Sequence, residues 1–339
     1  MNLWPRIKQT LARWFGGGAP APGHYVGGAA FAWRGWLASS PWVWPRRKWR
    51  MYVPAGASRF RAMPLVVLLH GCRQSPEDIA KGTRIEALAD KLCAYVLMPR
   101  QHERANPYRC WNWFDPATIA GRGEAAIVLA AMRKAMRWRS LDASRTAAIG
   151  MSAGAALATI LGVRHADRVR AVVSVAGLPC GAASQPIMAL TVMKRGPDID
   201  VAKLGLTAYD AAPPEGKRVA LLAIHGRADD VVAARNSGAV VRQFLARNEI
   251  DVPKGSESSL PEPDHARREN PLLGHPFQVR DWEKDGSLVA RLVEIDGLGH
   301  AWSGGDASLP FNVAGAPDAT AMAGAFLGQV WSRTMGAAP

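Results

Sequence analysis

The sequence predicts an α/β fold, in which a mainly parallel sheet is covered by helices on both faces. Continuous apolar runs such as residues 65–69, Leu-Val-Val-Leu-Leu, are typical of strands that are buried on both faces. Segments with helical periodicity, such as residues 79–92, alternate with these runs along the chain. This alternation indicates parallel strands, because the chain has to cross back over the sheet between one strand and the next.

The individual elements can be assigned in chain order. Residues 49–53 alternate apolar and polar side chains, which predicts an early antiparallel strand at the edge of the sheet. Residues 277–295 alternate in the same way around Asp285-Gly286, a dipeptide typical of a β-hairpin. We predict buried strands at residues 65–69, 95–98, 145–149, 169–175 and 219–224, and helices at 79–92, 124–138, 155–163, 233–247 and 318–335.

The composition is that of an ordinary globular protein. The chain has 339 residues, of which 48% are hydrophobic and 21% are charged, enough for one large domain or two smaller ones. No run of about 18 apolar residues is present, so no membrane-spanning helix is predicted. The formal net charge is +14. Because no nucleic-acid-binding module is visible, we predict no nucleic-acid partner and favour a solvated basic surface over binding of a polyanion or an anionic membrane.

Residues 1–18 are predicted to form a basic amphipathic helix followed by the start of a Gly/Pro linker. Two interpretations stay open for the helix. Residues 1–15 can make peripheral contact with an anionic membrane, or the helix can dock on the body of the protein. Charges at Arg6, Lys8 and Arg13 interrupt the apolar core that a secretory signal peptide requires.

Two further segments flank or interrupt the main domain, which we assign to residues 48–335. Residues 251–275 are rich in Pro, Ser, Glu and Arg, which predicts a solvated insertion loop. Residues 19–47 are rich in tryptophan without a single period, which predicts an irregular lead-in segment packed on the body. The tryptophans of this region are Trp33, Trp36, Trp42 and Trp44, followed by Trp49.

Residues 150–154 read Gly-Met-Ser-Ala-Gly and lie between a predicted strand and a predicted helix. A serine in this turn is the nucleophile elbow of the α/β-hydrolase fold. The two glycines are needed because strand and helix nearly touch, so that Cβ atoms at Gly150 or Gly154 would collide. The helix N-terminus directs free N–H groups at an oxyanion formed on the serine. We therefore predict an α/β-hydrolase fold with Ser152 as the nucleophile.

A serine nucleophile needs a histidine as base and a carboxylate that orients the histidine, and this fold supplies them in the chain order Ser, acid, His. His300 lies in a glycine-rich loop after a predicted strand and is the candidate base. Asp229 and Asp230 both follow the strand at residues 219–224, and the pattern alone leaves the choice between them open. We interpret His225, directly after that strand, as a support for the turn rather than as the base.

The candidate oxyanion hole consists of two backbone N–H groups. In this fold one comes from the residue after the nucleophile and the other from the loop after an early central strand. Residues 69–72, Leu-His-Gly-Cys, follow such a strand. We therefore predict that the N–H groups of Cys72 and Ala153 hold the oxyanion.

The four cysteines predict neither a metal site nor a cofactor. No Cys-x-x-Cys or paired-histidine pattern is present, so zinc binding is not indicated. Disulfide pairing cannot be decided from the spacing. The cysteines are Cys72, Cys93, Cys110 and Cys180.

Five motifs together resemble the polyhydroxybutyrate depolymerase family of esterases, to which feruloyl and acetylxylan esterases are related. The resemblance covers roughly residues 48–335, and the order of the motifs makes it specific. The motifs are Leu-His-Gly-Cys-Arg-Gln at 69–74, Asn-Pro at 106–107 followed by Cys-Trp-Asn-Trp-Phe at 110–114, Gly-Met-Ser-Ala-Gly at 150–154, His-Gly-Arg-Ala-Asp at 225–229, and Gly-Leu-Gly-His-Ala-Trp-Ser-Gly-Gly at 297–305.

This resemblance implies an α/β-hydrolase that acts on esters, with Ser152, Asp229 and His300 as its triad and without a cofactor. It favours Asp229 over Asp230, because the family has its acid four residues after the histidine of His-Gly. It also implies that Cys72 and Cys110 lie near each other beside the site. The candidate lining residues of the substrate channel are Trp111, Trp113, Met151 and Trp302.

The chain departs from the family pattern in three respects. Cys180 stands where relatives usually have an aromatic residue. No polymer-binding domain is visible after the catalytic part, so we expect short-chain hydroxyalkanoate esters or oligoesters as substrates rather than a crystalline polyester. The signal peptide of secreted relatives is not visible either, which leaves an extracellular, a cytoplasmic and a peripheral membrane location as alternatives.

The same residues are compatible with functions other than hydrolysis of hydroxyalkanoate esters. The same site suits a feruloyl or acetylxylan type of esterase, a peptide hydrolase, or an acyltransferase in which an alcohol replaces water in the second step. A different class of function is a membrane-surface binding protein with a non-catalytic hydrolase fold. The intact order of Ser152, Asp229 and His300 argues against this last alternative.

Overall fold

The computed structural model describes most of the chain after the N-terminal region. The predicted helix at residues 2–15 and the tryptophans Trp33, Trp36, Trp42 and Trp44 lie outside the described residues. The described ranges are 22–32, 45–58, 60–137, 139–212, 218–253 and 259–336.

In the described part of the chain, ten strands form one sheet. Every buried strand predicted from an apolar run is present, because strands covered on both faces must pair with neighbours to satisfy their backbone groups. The strands are β1 (His24–Phe31), β2 (Arg46–Val53), β3 (Met63–Leu69), β4 (Tyr95–Pro99), β5 (Leu141–Met151), β6 (Ala171–Val175), β7 (Ala220–Gly226), β8 (His265–Glu269), β9 (Phe277–Lys284) and β10 (Ser287–Ile295), with β11 (Trp302–Ser303) and β12 (Asn312–Val313) as a separate parallel pair.

The order across the sheet is β1-β2-β4-β3-β5-β6-β7-β10-β9-β8. The six central strands, from β4 to β10 in this order, are parallel to one another. Antiparallel strands extend the sheet on both sides, β2 and β1 beyond β4, and β9 and β8 beyond β10. The carboxyl ends of the parallel strands therefore meet at one edge of the sheet, where loops from distant parts of the chain come together.

Helices follow most of the parallel strands. The predicted helix at residues 79–92 is divided in two at Arg84, whose φ of 52° is incompatible with a continuing helix. Among the described helices, none is both long and apolar enough to cross a bilayer. The helices are α1 (Pro76–Thr83), α2 (Ile85–Leu92), α3 (Pro116–Ile119), α4 (Gly123–Met136), α5 (Ala153–Arg164), α6 (Pro186–Arg195), α7 (Val201–Asp210), α8 (Arg235–Arg247) and α9 (Ala319–Gly336).

Two hydrophobic cores lie on opposite faces of the sheet. Along β3, Leu65, Val67 and Leu69 belong to one core, and Val66 and Leu68 belong to the other. This is the alternation expected of a strand. The first core contains side chains of α4, α5 and α8, and the second contains side chains of α1, α2 and α9. The predicted α/β fold with helices on both faces is confirmed.

The antiparallel strand predicted at residues 49–53 is present, but its predicted location at the edge of the sheet is wrong. Residues 49–53 belong to β2, which is not at the edge, because β1 pairs with it along its whole length. β1 lies within residues 19–47, where we expected only irregular structure. The sequence pattern did not predict β1, because the strand contains glycines and glycine has low β propensity. A Cβ atom at Gly28 would lie 2.5 Å from the indole of Trp49, so the glycine leaves room for that ring.

The predicted insertion at residues 251–275 is not loop throughout. His265–Glu269 form β8, which pairs with β9 at the end of the sheet. All five residues of β8 are exposed and lack an apolar alternation, so the pattern gave no strand signal. The predicted hairpin at Asp285-Gly286 is present between β9 and β10, with positive φ at both residues, as a type I′ turn requires.

Candidate active site

Ser152 forms the whole connection between β5, which ends at Met151, and α5, which begins at Ala153. Its backbone has φ 55° and ψ −124°, a conformation that residues other than glycine rarely adopt. Its N–H donates to the carbonyl of Val175 on the neighbouring strand at 2.9 Å, which holds the turn in this conformation. Ser152 therefore lies at the sharp strand-to-helix turn expected from the sequence, at the carboxyl edge of the sheet.

The glycines on either side of Ser152 allow this turn to be so tight. A Cβ atom at Gly150 would lie 2.3 Å from the backbone of Gly154. A Cβ atom at Gly154 would lie 2.2 Å from the carbonyl oxygen of Leu69 on β3. Contacts this short do not occur between real atoms, so any larger residue would push α5 away from the sheet.

His300 and Asp229 form a hydrogen-bonded pair, with 2.7 Å between Nδ1 of the histidine and Oδ2 of the carboxylate. The other carboxylate oxygen accepts the N–H groups of Val231 and Val232 at 2.9 and 2.8 Å. Burial opposes ionisation of Asp229, but hydrogen bonds from His225 and His300 outweigh it and hold the pKa of Asp229 well below its ordinary value. An ionised carboxylate keeps the proton of His300 on Nδ1 and leaves Nε2 able to accept one.

Asp229, rather than the exposed Asp230, makes the contact with His300. His225 is buried, and its Nε2 lies 2.8 Å from the carbonyl of Val232 and 3.3 Å from Oδ2 of Asp229. A histidine in this position braces the turn that contains the aspartate. This agrees with the interpretation of His225 as a support rather than as the base.

Ser152 and His300 line the same cavity, whose volume is about 490 Å³. This is within the usual size range of sites for small organic ligands. The cavity lies between the loop at residues 106–114 and helix α6, and most of its lining side chains are apolar. Among the described side chains, no hydrogen bond joins the hydroxyl of Ser152 to the ring of His300. Such contacts commonly tighten only around a substrate.

The two N–H groups predicted to form the oxyanion hole are available for a ligand. Cys72 and Ala153 both line the cavity. In the described part of the chain, neither backbone N–H meets an acceptor. The loop that contains Cys72 is fixed by the N–H of Gly71, which donates to Oε1 of Gln74 at 2.8 Å. Two free donors beside a serine on an elbow are suited to stabilise a negatively charged oxygen.

Cys72 and Cys110 form a disulfide. The family resemblance implied only that they lie near each other, and the bond itself was not predictable. The remaining cysteines, Cys93 and Cys180, are free, and burial raises the pKa of the Cys180 thiol to about 11, so it is not a reactive thiolate at neutral pH. Across the described ranges, no three His, Cys, Asp or Glu side chains are grouped to hold a metal ion.

The sequence profile of the family described as "Esterase PHB depolymerase" matches residues 48–258, which is more than half of the chain. The chain belongs to the PHB depolymerase family of esterases. This confirms the family predicted from the five motifs and agrees with the predicted class of enzyme, a serine hydrolase that acts on carboxylic esters.

Two relatives are similar in sequence to this chain. Poly(3-hydroxyalkanoate) depolymerase C of Paucimonas lemoignei is 29% identical over 257 residues, which cover 74% of this chain and 57% of the depolymerase. Feruloyl esterase B of Neurospora crassa is 24% identical over 226 residues, which cover 62% of this chain and 76% of that enzyme. The chain thus spans little more than half the length of the depolymerase.

Among solved structures, an acetyl xylan esterase from Aspergillus awamori is similar in fold. It superposes with a TM-score of 0.62 at 16% sequence identity, and the match covers 75% of this chain and 89% of that enzyme. At this level of identity the similarity shows the fold alone. It confirms the α/β-hydrolase fold of the esterase.

Two of the four candidate lining residues are in the core instead. Trp111 is fully buried, and its Nε1–H donates to the carbonyl of His70 at 3.1 Å. Trp302 is also buried, and its Nε1–H donates to Oγ1 of Thr320 at 3.1 Å. Both indoles thus satisfy their N–H groups inside the protein and pack in its hydrophobic cores. The other two candidates, Trp113 and Met151, line the cavity.

Several residues that line the cavity were not predicted from the sequence. Arg73 lies inside the motif at residues 69–74 and Tyr108 lies between the two parts of the next motif, but no pattern indicated that their side chains line the cavity. Leu190 projects from α6, a helix that was not predicted. Phe311 follows the motif that contains His300, and no pattern marked it. Each depends on how separate loops meet at the edge of the sheet.

His70 links the oxyanion loop to the loop that begins at Gln101. Its Nδ1 lies 2.8 Å from the carbonyl of Gly71, and its Nε2 accepts the N–H of Gln101 at 3.1 Å. These partners require a neutral ring with its proton on Nδ1. Complete burial lowers the pKa of His70 to about 4, so the ring stays neutral at physiological pH. His70 is therefore a structural support for the hole.

A buried polar network lies behind the loop at residues 106–114. Glu124, at the start of α4, accepts hydrogen bonds from Nε2 of Gln101 at 2.6 Å and from the N–H of Asn112 at 2.7 Å. The guanidinium of Arg47 lies 3.5 Å from the same carboxylate. Burial raises the pKa of Glu124, and the charge of Arg47 opposes this effect. The network ties β2, α4 and the cavity loop together.

Proposed function

We propose that this chain is a carboxylesterase that hydrolyses short-chain hydroxyalkanoate esters or oligoesters through Ser152, His300 and Asp229. One observation carries the proposal. His300, which is hydrogen-bonded to Asp229, lines the same cavity as Ser152. Backbone strain such as that at Ser152 lowers the stability of a protein, and it is found mainly at active and binding sites. Its presence beside a paired histidine therefore supports a catalytic role. The similarity to a depolymerase and to a feruloyl esterase supports ester substrates.

In the first step, the hydroxyl of Ser152 attacks the ester carbonyl while Nε2 of His300 takes its proton. The negative charge that develops on the carbonyl oxygen is stabilised by the N–H groups of Cys72 and Ala153 and by the N-terminus of α5. Ionised Asp229 stabilises the imidazolium through Nδ1. His300 then donates the proton to the leaving alcohol, and an acyl-enzyme remains.

In the second step, water attacks the acyl-enzyme, again with His300 as general base. The carboxylic acid leaves as the serine hydroxyl is restored. Any alcohol that reached this position in place of water would yield a new ester. The ratio of hydrolysis to transfer is therefore a measurable property of the same site.

The lining of the cavity supports a substrate with short apolar groups. Its apolar lining residues include Trp113, Phe114, Leu178, Leu190 and Met193. Apolar groups that leave water for such a surface gain about 0.8 kcal/mol for each buried methylene. The cavity volume of about 490 Å³ suits an acyl group and an alcohol of a few carbons each.

The decisive experiment compares wild type with Ser152→Ala on p-nitrophenyl butyrate and on soluble 3-hydroxybutyrate oligomers. We expect Ser152→Ala to reduce kcat by at least about 10,000-fold, because nucleophile and base act as a unit. A fluorophosphonate probe should label wild type and not the variant. Ser144→Ala, an exposed serine on the same strand, is the matched control and should keep full activity.

Two outcomes would contradict the proposal. If wild type neither hydrolyses these esters nor reacts with the probe, the chain is not a serine esterase. If Ser152→Ala retains activity, the nucleophile is another residue. Parallel assays with a feruloyl ester and an acetylated xylan rank the substrate classes. Greater kcat/KM on either of them would replace the hydroxyalkanoate substrate while leaving the chemistry unchanged.

A further inference from the structure

The described side chains that line the cavity include a positive charge but no negative charge. Arg73 is the only permanently charged side chain among the described residues that line it, and neither an aspartate nor a glutamate is among them. Asp229 lies behind His300 and is already hydrogen-bonded. A ligand in the cavity therefore meets one permanent positive charge on a surface whose other described side chains are mostly apolar and include no carboxylate.

The backbone of Arg73 is fixed next to the oxyanion hole. Arg73 follows Cys72 directly, and its N–H donates to the carbonyl of Tyr108 at 2.7 Å. Its own carbonyl accepts a hydrogen bond from the guanidinium of Arg109 at 3.2 Å. The disulfide from Cys72 to Cys110 joins the same two loops. The start of the side chain is thus held in place relative to the reacting centre.

The guanidinium of Arg73 lies over the ring of Tyr108, 4.8 Å from its centroid. This cation–π contact orients the group without neutralising its charge. Within the described residues, no carboxylate lies at ion-pair distance from Arg73. An exposed, oriented guanidinium with free N–H groups is suited to bind a carboxylate through two parallel hydrogen bonds.

The charge of the whole chain acts in the same direction. The formal net charge is +14, so an anionic substrate is attracted to the protein as a whole. The apolar cavity then selects the uncharged part of such a substrate. A molecule that combines an ester, short apolar groups and one carboxylate satisfies every part of this lining.

We propose that Arg73 binds a free carboxylate of the substrate, so that the esterase prefers ester acids, such as linear oligomers of hydroxy acids with a free acid end, over neutral esters. This inference rests on the proposed function of the same site. Arg73 is a specificity residue in it and takes no part in bond making or breaking.

The test uses two pairs of substrates, in each of which one member has a free carboxylate and the other has an uncharged group at the same position. The first pair is the dimer of 3-hydroxybutyrate and the same dimer with its acid replaced by a carboxamide. The second pair is p-nitrophenyl adipate, which has a free acid on the acyl side, and p-nitrophenyl hexanoate. Wild type, Arg73→Gln and Arg73→Lys are compared by kcat and KM at low ionic strength. The control is Arg104→Gln, which removes an exposed arginine outside the cavity lining.

We expect Arg73→Gln to raise KM for the acid member of at least one pair about tenfold, the size expected of a lost hydrogen bond between charged groups. The neutral member should change by less than about twofold. Arg73→Lys should restore part of the preference, because it keeps the charge but not the planar fork. Added salt should weaken the preference for the acid more in wild type than in Arg73→Gln, which retains only the attraction of the net charge.

The outcomes separate this inference from the proposed function. If Arg73→Gln affects acid and neutral esters equally, or affects neither, carboxylate binding by Arg73 is overturned and ester hydrolysis still stands. If Arg104→Gln has the same effect as Arg73→Gln, the preference comes from net charge and the inference is also overturned. If wild type hydrolyses none of the four esters, the proposed function fails and this inference fails with it.

Discussion

The two walls of the cavity are built in opposite ways. The loop wall, residues 106–114, is tied to the body by the disulfide from Cys72 to Cys110 and by the buried carboxylate of Glu124. The helix wall, α6, buries only two side chains in its whole length, Ala189 and Val192. On the same helix, Ile187 and Leu190 are 69% and 60% exposed.

This difference matches what each wall has to do under the proposed mechanism. The loop wall is bonded to Cys72, whose N–H must be held at hydrogen-bond distance from the oxyanion, about 2.7 to 3.1 Å, to be effective. The helix wall meets only the apolar part of a substrate, where contacts depend on area rather than on direction. Four sets of substitutions or conditions test this comparison.

The largest effect is expected from Glu124→Ala. The change removes the acceptor of Gln101 and Asn112 and the carboxylate next to buried Arg47. Breaking a buried charge network of this kind costs about 3 to 5 kcal/mol of unfolding free energy. Urea unfolding measures the loss, and kcat on p-nitrophenyl butyrate should fall with it.

The matched control for Glu124→Ala is Glu77→Ala. Glu77 also pairs with arginines, Arg50 at 3.5 Å and Arg100, but at the surface. Exposed ion pairs contribute at most about 1 kcal/mol. Equal losses in the two variants would show that the network does not hold the loop wall.

The second effect concerns the disulfide. Cys72 and Cys110 close a loop with a sequence separation of 38. Removal of this constraint by Cys72→Ala/Cys110→Ala should cost about 3 to 4 kcal/mol, mostly because the unfolded chain becomes freer. We also expect kcat to fall about tenfold, since the N–H of Cys72 is no longer held. Cys93→Ala is the control, and a double variant with unchanged kcat would contradict a role in the hole.

The third effect is a pH dependence that originates at His70. Its pKa is about 4 in the folded protein, well below the ordinary value near 6.5, because the ring is buried. Between these two values the unfolded chain binds a proton that the folded chain does not. Stability therefore falls as the pH drops from about 6.5 to about 4, by about 3 kcal/mol in total.

The pH dependence is measured by urea unfolding of wild type and His70→Gln at several pH values between 7 and 4.5. The variant is less stable at pH 7, but the difference should shrink as the pH falls. His265→Gln, an exposed histidine on β8, is the control and should run parallel to wild type. Parallel profiles for wild type and His70→Gln would mean that His70 accepts a proton within the fold.

The sequence was most informative where function and local structure are encoded by neighbouring residues. The elbow is formed by consecutive residues, among them Gly150, Ser152 and Gly154. It could therefore be predicted from the sequence alone. Glu124 looked like an ordinary residue in the first turn of a helix, because its partners come from β2 and from two distant loops. The family motif predicted that Trp111 lines the cavity, but its side chain is buried in the core. The direction of this side chain depends on the packing of the whole loop, which the motif does not encode.

The smallest effect on stability is expected at the helix wall, where Leu190→Ser and Ile187→Ser should each change the unfolding free energy by no more than about 0.5 kcal/mol. Their effects on substrates should differ, because Leu190 lines the cavity and Ile187 does not. Leu190→Ser should lower kcat/KM for p-nitrophenyl octanoate about fivefold relative to the acetate, the equivalent of one or two buried methylenes. Ile187→Ser should leave that ratio unchanged. If both variants lost it equally, the long acyl chain would lie along the outside of α6, and the helix would serve as an external platform rather than a wall.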